Sequence, residues 1–381
     1  MNNNITKNYT VAMKVICTIL FCTFSFLYLY YYQADILAYA QHALSNGQTH
    51  YNSMIGASII TASLYLLHLG ISAITRMPRL VHALTYFPSL LLLAIITDIS
   101  PDVDQHFTFG VWLWVFPLLI ILYAGVVWVL HQISYVSQVN VSSFFSRMMW
   151  GNILALSVMF FMVGLVSNHN DIFHYRMHDE QCLLRGDMNG VLKTGEQSLV
   201  VDSNLTMLRA YALSKKGLLG ERLFEHPFVG GSASLLPNGK NVRMMVYPVS
   251  QLYQYLGVQI VQKLSPMSYL QYIIKHKYAK QPAGDYLLCG YLLDKDLDGF
   301  IHHIGEYYNV KENLPKHYRE ALVLYTHLRA NPQLIYHNNV TDADFQDYQS
   351  LEHKYPDKKV RRTFLRDTYG NTYWYYYQYG Y

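Results

Sequence analysis

Five long apolar runs fill the first part of the chain, and shorter helical patterns with many charges fill the rest. The runs lie at about 15–32, 55–74, 80–99, 111–130 and 150–166. Most approach the ~20 residues that a helix needs to cross hydrocarbon. The last contains 152–166, NILALSVMFFMVGLV, which carries no charge and divides the chain in two. The first run is too long for a signal peptide, and no small-residue cleavage site follows it. Its closing Tyr28, Tyr30, Tyr31 and Tyr32 suit a headgroup belt, as do Trp112, Trp114 and Trp128 near the ends of the fourth.

Beyond 168 the pattern changes to period 3.6. Asp202 or Ser203 caps a helix on which Leu205, Leu208, Ala212 and Leu213 share a face, and Gly217 ends it. Val191, Leu192, Leu199 and Val200 mark a partner helix entered by a Gly186–Asp187 turn. The pair resembles a tetratricopeptide-type hairpin, with small Ala210 and Ala212 for close packing. A Pro- and Gly-rich break follows at 226–246, including Gly239. Helical patterns then resume at 250–264, 267–276, 283–293, 299–308 and 316–329. The pattern predicts an all-α chain. Residues 1–167 form a five-span transmembrane helical bundle, and 168–381 form an α-solenoid, tetratricopeptide-like soluble domain with an aromatic tail.

Charge sharpens this division. Overall 52% of residues are hydrophobic and 14% charged, yet up to residue 170 the only charges are Lys7, Lys14, Asp35, Arg76, Arg79, Asp98, Asp102, Asp104 and Arg147. The basic ones precede span one, separate spans two and three, and separate spans four and five. The positive-inside rule then puts the N-terminus in the cytoplasm and the soluble part outside. The net charge of +4 is small and scattered, so nucleic acid is not an expected partner.

Candidate chemistry is sparse. His68 and His82 fall inside spans, and neutral histidines bonded to a neighbouring helix explain them. His174 and His178 share a helix face without the further ligands of a metalloenzyme motif. Gly230–Gly231–Ser232 lacks the rest of a phosphate loop. Cys182 and Cys289 could pair only in an oxidising compartment. Asp294, Asp296 and Asp298 with Gly299 copy the first half of a calcium loop, but Gly305 stands where the closing Glu belongs. A helix-capping acidic turn explains the same residues. No cofactor is expected. The tail 368–381 is rich in Tyr and Trp and suits either packing on the helical domain or a lipid interface.

The stretches ADILAYAQHALSNGQTHYN (34–52), RGDMNGVL (185–192), LLDKDLDGF (292–300), LPKHYREAL (314–322) and TYW (372–374) resemble an uncharacterised family of multi-spanning bacterial membrane proteins, a domain of unknown function. That resemblance implies an inner membrane with the soluble part in the periplasm, and no mechanism. The expected function is presentation of a periplasmic helical-repeat surface to an unidentified envelope protein, with the lipid bilayer as the other partner. The alternative is an enzyme acting on lipid-linked sugars at the outer face, in the manner of a glycosyltransferase, using Asp35, Asp102 and Asp104, joined by Asp98 at the end of span three.

Overall fold

The computed structural model describes residues 2–105, 108–134, 147–196, 198–238, 241–262 and 264–380. Among them every regular element is helical. The chain divides into two units, Met1–His174 and Tyr175–Tyr381. The division falls inside α7 (Asp171–Arg185), a few residues past the boundary read from hydropathy.

In the first unit the apolar runs become helices long and apolar enough to cross a membrane: Asn8–Tyr32, Ser53–Thr75, Arg79–Thr97, Trp112–Ile133 and Arg147–Val166. This is compatible with an integral membrane protein. The first combines α1 (Asn2–Leu27) with a π turn, Tyr28–Tyr32, and the short α2 (Ala34–Leu44) follows. α3 (Ser53–Thr75) starts where Asn52 accepts the N–H groups of Met54 and Ile55, both at 3.1 Å. α5 (Trp112–Ser134) is apolar nearly all round and little covered by its neighbours, with Trp114, Leu118 and Ile121 all exposed on it.

The third span is the most enclosed, at 61% of its window against 6–28% for the others, so it forms the centre of this unit. It is an α-helix only in its second half. Pro88 sits in the first turn of α4 (Phe87–Thr97), where its missing N–H costs no bond. The preceding Arg79–Tyr86 is 3-10 and breaks at Val81, φ −125°. Together they span about 32 Å, enough to cross. The irregular backbone is served by Asn152 of α6 (Arg147–Val166). Its carboxamide accepts the Ala83 N–H at 2.6 Å and donates to the carbonyls of Arg79 and Leu80 at 3.0 and 3.2 Å. Backbone freed from helical bonding at membrane depth needs such a partner. His68 is buried and stacks on Tyr86 with centroids 3.6 Å apart, its Nδ1 3.3 Å from the Thr85 hydroxyl.

The second unit is built from α8 (Met188–Lys193), α9 (Ser203–Lys215), α10 (Leu219–Arg222), α11 (Val249–Leu256), α12 (Pro266–Lys275), α13 (Pro282–Leu293), α14 (Leu297–Tyr307), α15 (Lys316–Leu328), α16 (Asn339–Lys354), α17 (Lys358–Tyr369) and α18 (Tyr373–Tyr379), with most of α7. Two expected helices stop early. α8 ends at Lys193 and Gly195 takes φ +61°, which leaves Leu199 and Val200 exposed in coil. α11 ends before Gly257, where a Cβ would meet the Tyr278 carbonyl at 2.4 Å. Gly239 and Tyr381 lie outside the described residues.

One turn is used twice. After α7, Gly186 takes φ +74°, Asp187 donates its N–H to Cys182 at 2.9 Å, and its carboxylate caps Gly190. After α13, Lys295 takes φ +58°, Asp296 donates to Tyr291 at 2.9 Å, and its carboxylate caps Gly299. Consecutive helices pack as neighbours, as in α8–α9, α12–α13, α13–α14 and α15–α16. Other contacts skip along the chain: α10 lies on α13 and α15, and α18 on α15.

The aromatic tail is core. Tyr373, Trp374, Tyr375 and Tyr376 of α18 are all buried. Glu320 accepts the Tyr373 N–H at 2.7 Å and lies 2.9 Å from His317 Nδ1, and its carbonyl accepts the Trp374 indole N–H at 2.8 Å. Cys182 and Cys289 are separate, buried free thiols, and Cys289 lies 3.5 Å from the Tyr318 hydroxyl. Burial pushes the Cys289 thiol up.

Candidate functional site

The first unit holds a cleft of about 980 Å³. That is the size of a small-molecule site. α2 gives one wall with Leu37, Ala40, Gln41 and Leu44. The end of α4 gives Ile95 and Ile96. The 98–112 loop covers it with Ile99, Pro101, Val103, Phe109 and Trp112. Polar groups are also present in and beside the lining. Asp98 accepts the Trp112 indole N–H at 2.7 Å. Asn168 donates its amide to the Ile99 carbonyl at 2.7 Å, and Gln33 donates to the Asn168 carbonyl at 3.2 Å. Tyr28, after α1, and Ser167, after α6, share a hydroxyl–hydroxyl bond beside them. These bonds tie the ends of spans one, three and five around the cleft. No Lys or Arg is among its described lining residues.

The acids singled out from the sequence do not all line the cleft. Of Asp35, Asp98, Asp102 and Asp104, Asp98 lines the cleft and the other three do not. Asp104 lies on the outer side of the loop, 3.0 Å from the Tyr39 hydroxyl of α2, which is also 2.8 Å from the Pro101 carbonyl. Gln41, Trp112 and Asn168 were not anticipated as site residues. Trp112 reads in sequence as an ordinary interfacial aromatic, and its bond to Asp98 has no local signature.

The calcium-like stretch resolves into three separate jobs. Asp294 accepts the N–H and hydroxyl of Ser232 at 3.1 and 2.6 Å. Asp296 caps α14 through Gly299 at 2.8 Å. Asp298 pairs with Arg329. His174 meets the Asn168 carbonyl at 3.0 Å, and His178 lies 3.5 Å from Cys182 Sγ. Among the described residues no group of three His, Cys, Asp or Glu is placed to hold a metal.

Residues 259–380 match a family of unknown function (DUF6057). The match covers the LLDKDLDGF, LPKHYREAL and TYW stretches, whose side chains build the α13–α14 turn and the Glu320 seat of α18. No curated protein and no solved structure is significantly similar to the chain.

Proposed function

We propose that the chain is an integral protein of a bacterial inner membrane, with its N-terminus in the cytoplasm and its helical unit in the periplasm, and that its cleft takes an amphipathic, lipid-like molecule at the periplasmic end of the spans. The cleft carries this reading: apolar walls along α2 and α4, closing on Asp98, Gln41 and Asn168. An acid without a basic neighbour in the lining favours a headgroup that is cationic or rich in hydroxyls over a bare phosphate. The enzyme alternative has less support, because Asp35, Asp102 and Asp104 are not among the described lining residues, and a diphosphate-linked sugar would find no Lys or Arg among them. Native mass spectrometry of the full chain in mild detergent tests it. Phosphatidylethanolamine should be retained over phosphatidylglycerol, and Ala40→Trp, which fills the cleft, should abolish the preference. Equal retention of both lipids, or no effect of Ala40→Trp, would refute it.

A second reading, presentation of a protein-binding surface, rests on α17. Lys358, Lys359, Arg362 and Arg366 are exposed on it beside Val360 and Phe364, and Leu365 is its one buried residue. The twice-used turn agrees with a helical-repeat surface of the kind that holds peptides. An acidic envelope protein is the partner this face would recognise. Paired Lys359→Glu and Arg362→Glu should abolish its co-purification with the full chain. Undiminished co-purification would sink this reading.

A further inference from the structure

In the second unit, α7, α8, α9 and the segment after α10 enclose a small polar hollow. Asp179 enters from α7 and Arg209 from α9, with His226 at one side and Val191, Leu223 and Phe228 as apolar walls. Asp179 is 3% exposed, and its Oδ1 has no hydrogen-bond partner among the described residues. Arg209 spends Nη2 on the Leu192 carbonyl at 3.1 Å, and its buried Nε is likewise unpartnered. The two opposite charges share one hollow without forming an ion pair. Leaving Asp179 Oδ1 and Arg209 Nε without partners is costly, because a buried polar atom needs a bond. Thr194 donates to the Gly190 carbonyl at 3.0 Å and also bonds the Asp179 carboxyl, and Thr206 donates to the Asp202 carbonyl at 3.1 Å.

Water can bridge such a gap but neutralises neither end. A molecule with an ammonium at one end and an anion at the other supplies a counter-charge to Arg209 and, with release of the Asp179 proton to solvent, to the Asp179 carboxylate. The hollow measures about 40 Å³. One water needs roughly 10–15 Å³ on this scale, so there is room for about three waters, or for a molecule of about glycine's size.

We propose that this hollow binds a small zwitterion of the α-amino-acid kind, its ammonium on Asp179 and its carboxylate on Arg209. The electrostatics agree with the geometry. Burial pushes the Asp179 carboxyl up to about 8 despite Arg209 and His178 nearby, and burial also pulls the Arg209 guanidinium down. The Asp179 carboxyl and the Arg209 guanidinium act on each other across the hollow, and Glu196 and Glu225 also act on Arg209.

The full chain in detergent is titrated with glycine, L-alanine and L-serine, and with acetate and methylammonium as half-ligands, by calorimetry and thermal shift. Saturable binding of at least one amino acid is expected, with each half-ligand at least tenfold weaker. Asp179→Asn and Arg209→Gln should each weaken binding at least tenfold. Binding of acetate as tight as glycine would overturn the proposal. So would no saturable binding to the wild-type chain, the result if ordered water alone fills the hollow. The wild-type comparison stands even if a variant fails to fold.

Discussion

Asp296 accepts the backbone N–H of Gly299 at 2.8 Å, and a Cβ on Gly299 would lie 2.5 Å from the same carboxylate and 2.7 Å from the Tyr291 ring. Gly190 stands in the same relation to Asp187. The glycine that makes this stretch resemble a calcium loop is therefore explained by the cap. Gly299→Ala should destabilise by about 1–3 kcal/mol through overpacking. Asp296→Ala should cost about 0.5–2 kcal/mol as a lost N-cap. Added calcium should leave the melting temperature of the wild-type chain unchanged, because the three carboxylates already serve Ser232, Gly299 and Arg329. A saturable calcium shift lost in Asp296→Asn would reverse this reading.

Asn152 holds the irregular start of the third span. Asn152→Leu fits the apolar surroundings but strips partners from the Ala83 N–H and the Arg79 and Leu80 carbonyls. Each buried group left unpaired costs about 1–3 kcal/mol, with membrane measurements toward the lower end. Denaturation in detergent should show a loss of about 2 kcal/mol. An unchanged midpoint would mean that the 3-10 segment satisfies itself.

Glu320 seats the tail. Glu320→Ala removes the acceptor of the Tyr373 N–H and the partner of His317, whose Nε2 accepts the Phe224 N–H at 3.2 Å. Leaving buried hydrogen-bonding groups without a partner costs about 1–3 kcal/mol each. α18 should come loose first, so chymotrypsin should cut within 373–379 well before it cuts the wild-type tail. Equal cleavage rates would show that aromatic packing alone holds α18.

Asp179 gives the stability a pH dependence. Burial pushes its carboxyl up to about 8 in the folded chain, from ~3.9 when unfolded. His178 and Glu180 on α7 and Arg209 from α9 are the charged groups facing it. Between these values the folded state keeps a proton that the unfolded state releases, so stability falls as pH rises through the window. Asp179→Asn does not titrate. Its stability relative to wild type should improve from pH 5 to pH 8, by at most about 1.4 kcal/mol per unit. A difference independent of pH would show that the carboxyl titrates normally.

The sequence makes the spans plain because lipid excludes charge, and nine charged residues before 170 leave few places to hide one. It makes the caps plain at Asp202 and Asp296, since capping is local. It conceals what depends on distant partners. Pro88 marks a helix start within the third span, yet the 3-10 stretch before it persists because of Asn152, more than sixty residues later. Leu199 and Val200 imitate a helix face that Gly195 has already ended. α16 and α17 escape a hydrophobic reading because they are mostly polar and bury few residues each. The aromatic tail reads equally as interface or core until Glu320 is seen beneath it. The cleft and the Asp179–Arg209 hollow are assembled from separate elements, and neither leaves a motif.

The central claim is that an odd number of crossings places the cleft and the helical unit on the side away from the cytoplasm. A reporter active only outside the cytoplasm tests it directly when fused after Tyr381 and, separately, at Gln138, which lies between spans four and five outside the described residues. The basic residues predict activity after Tyr381 and silence at Gln138. Activity at Gln138 with silence after Tyr381 would contradict it, and would turn both the cleft and the helical unit toward the cytoplasm.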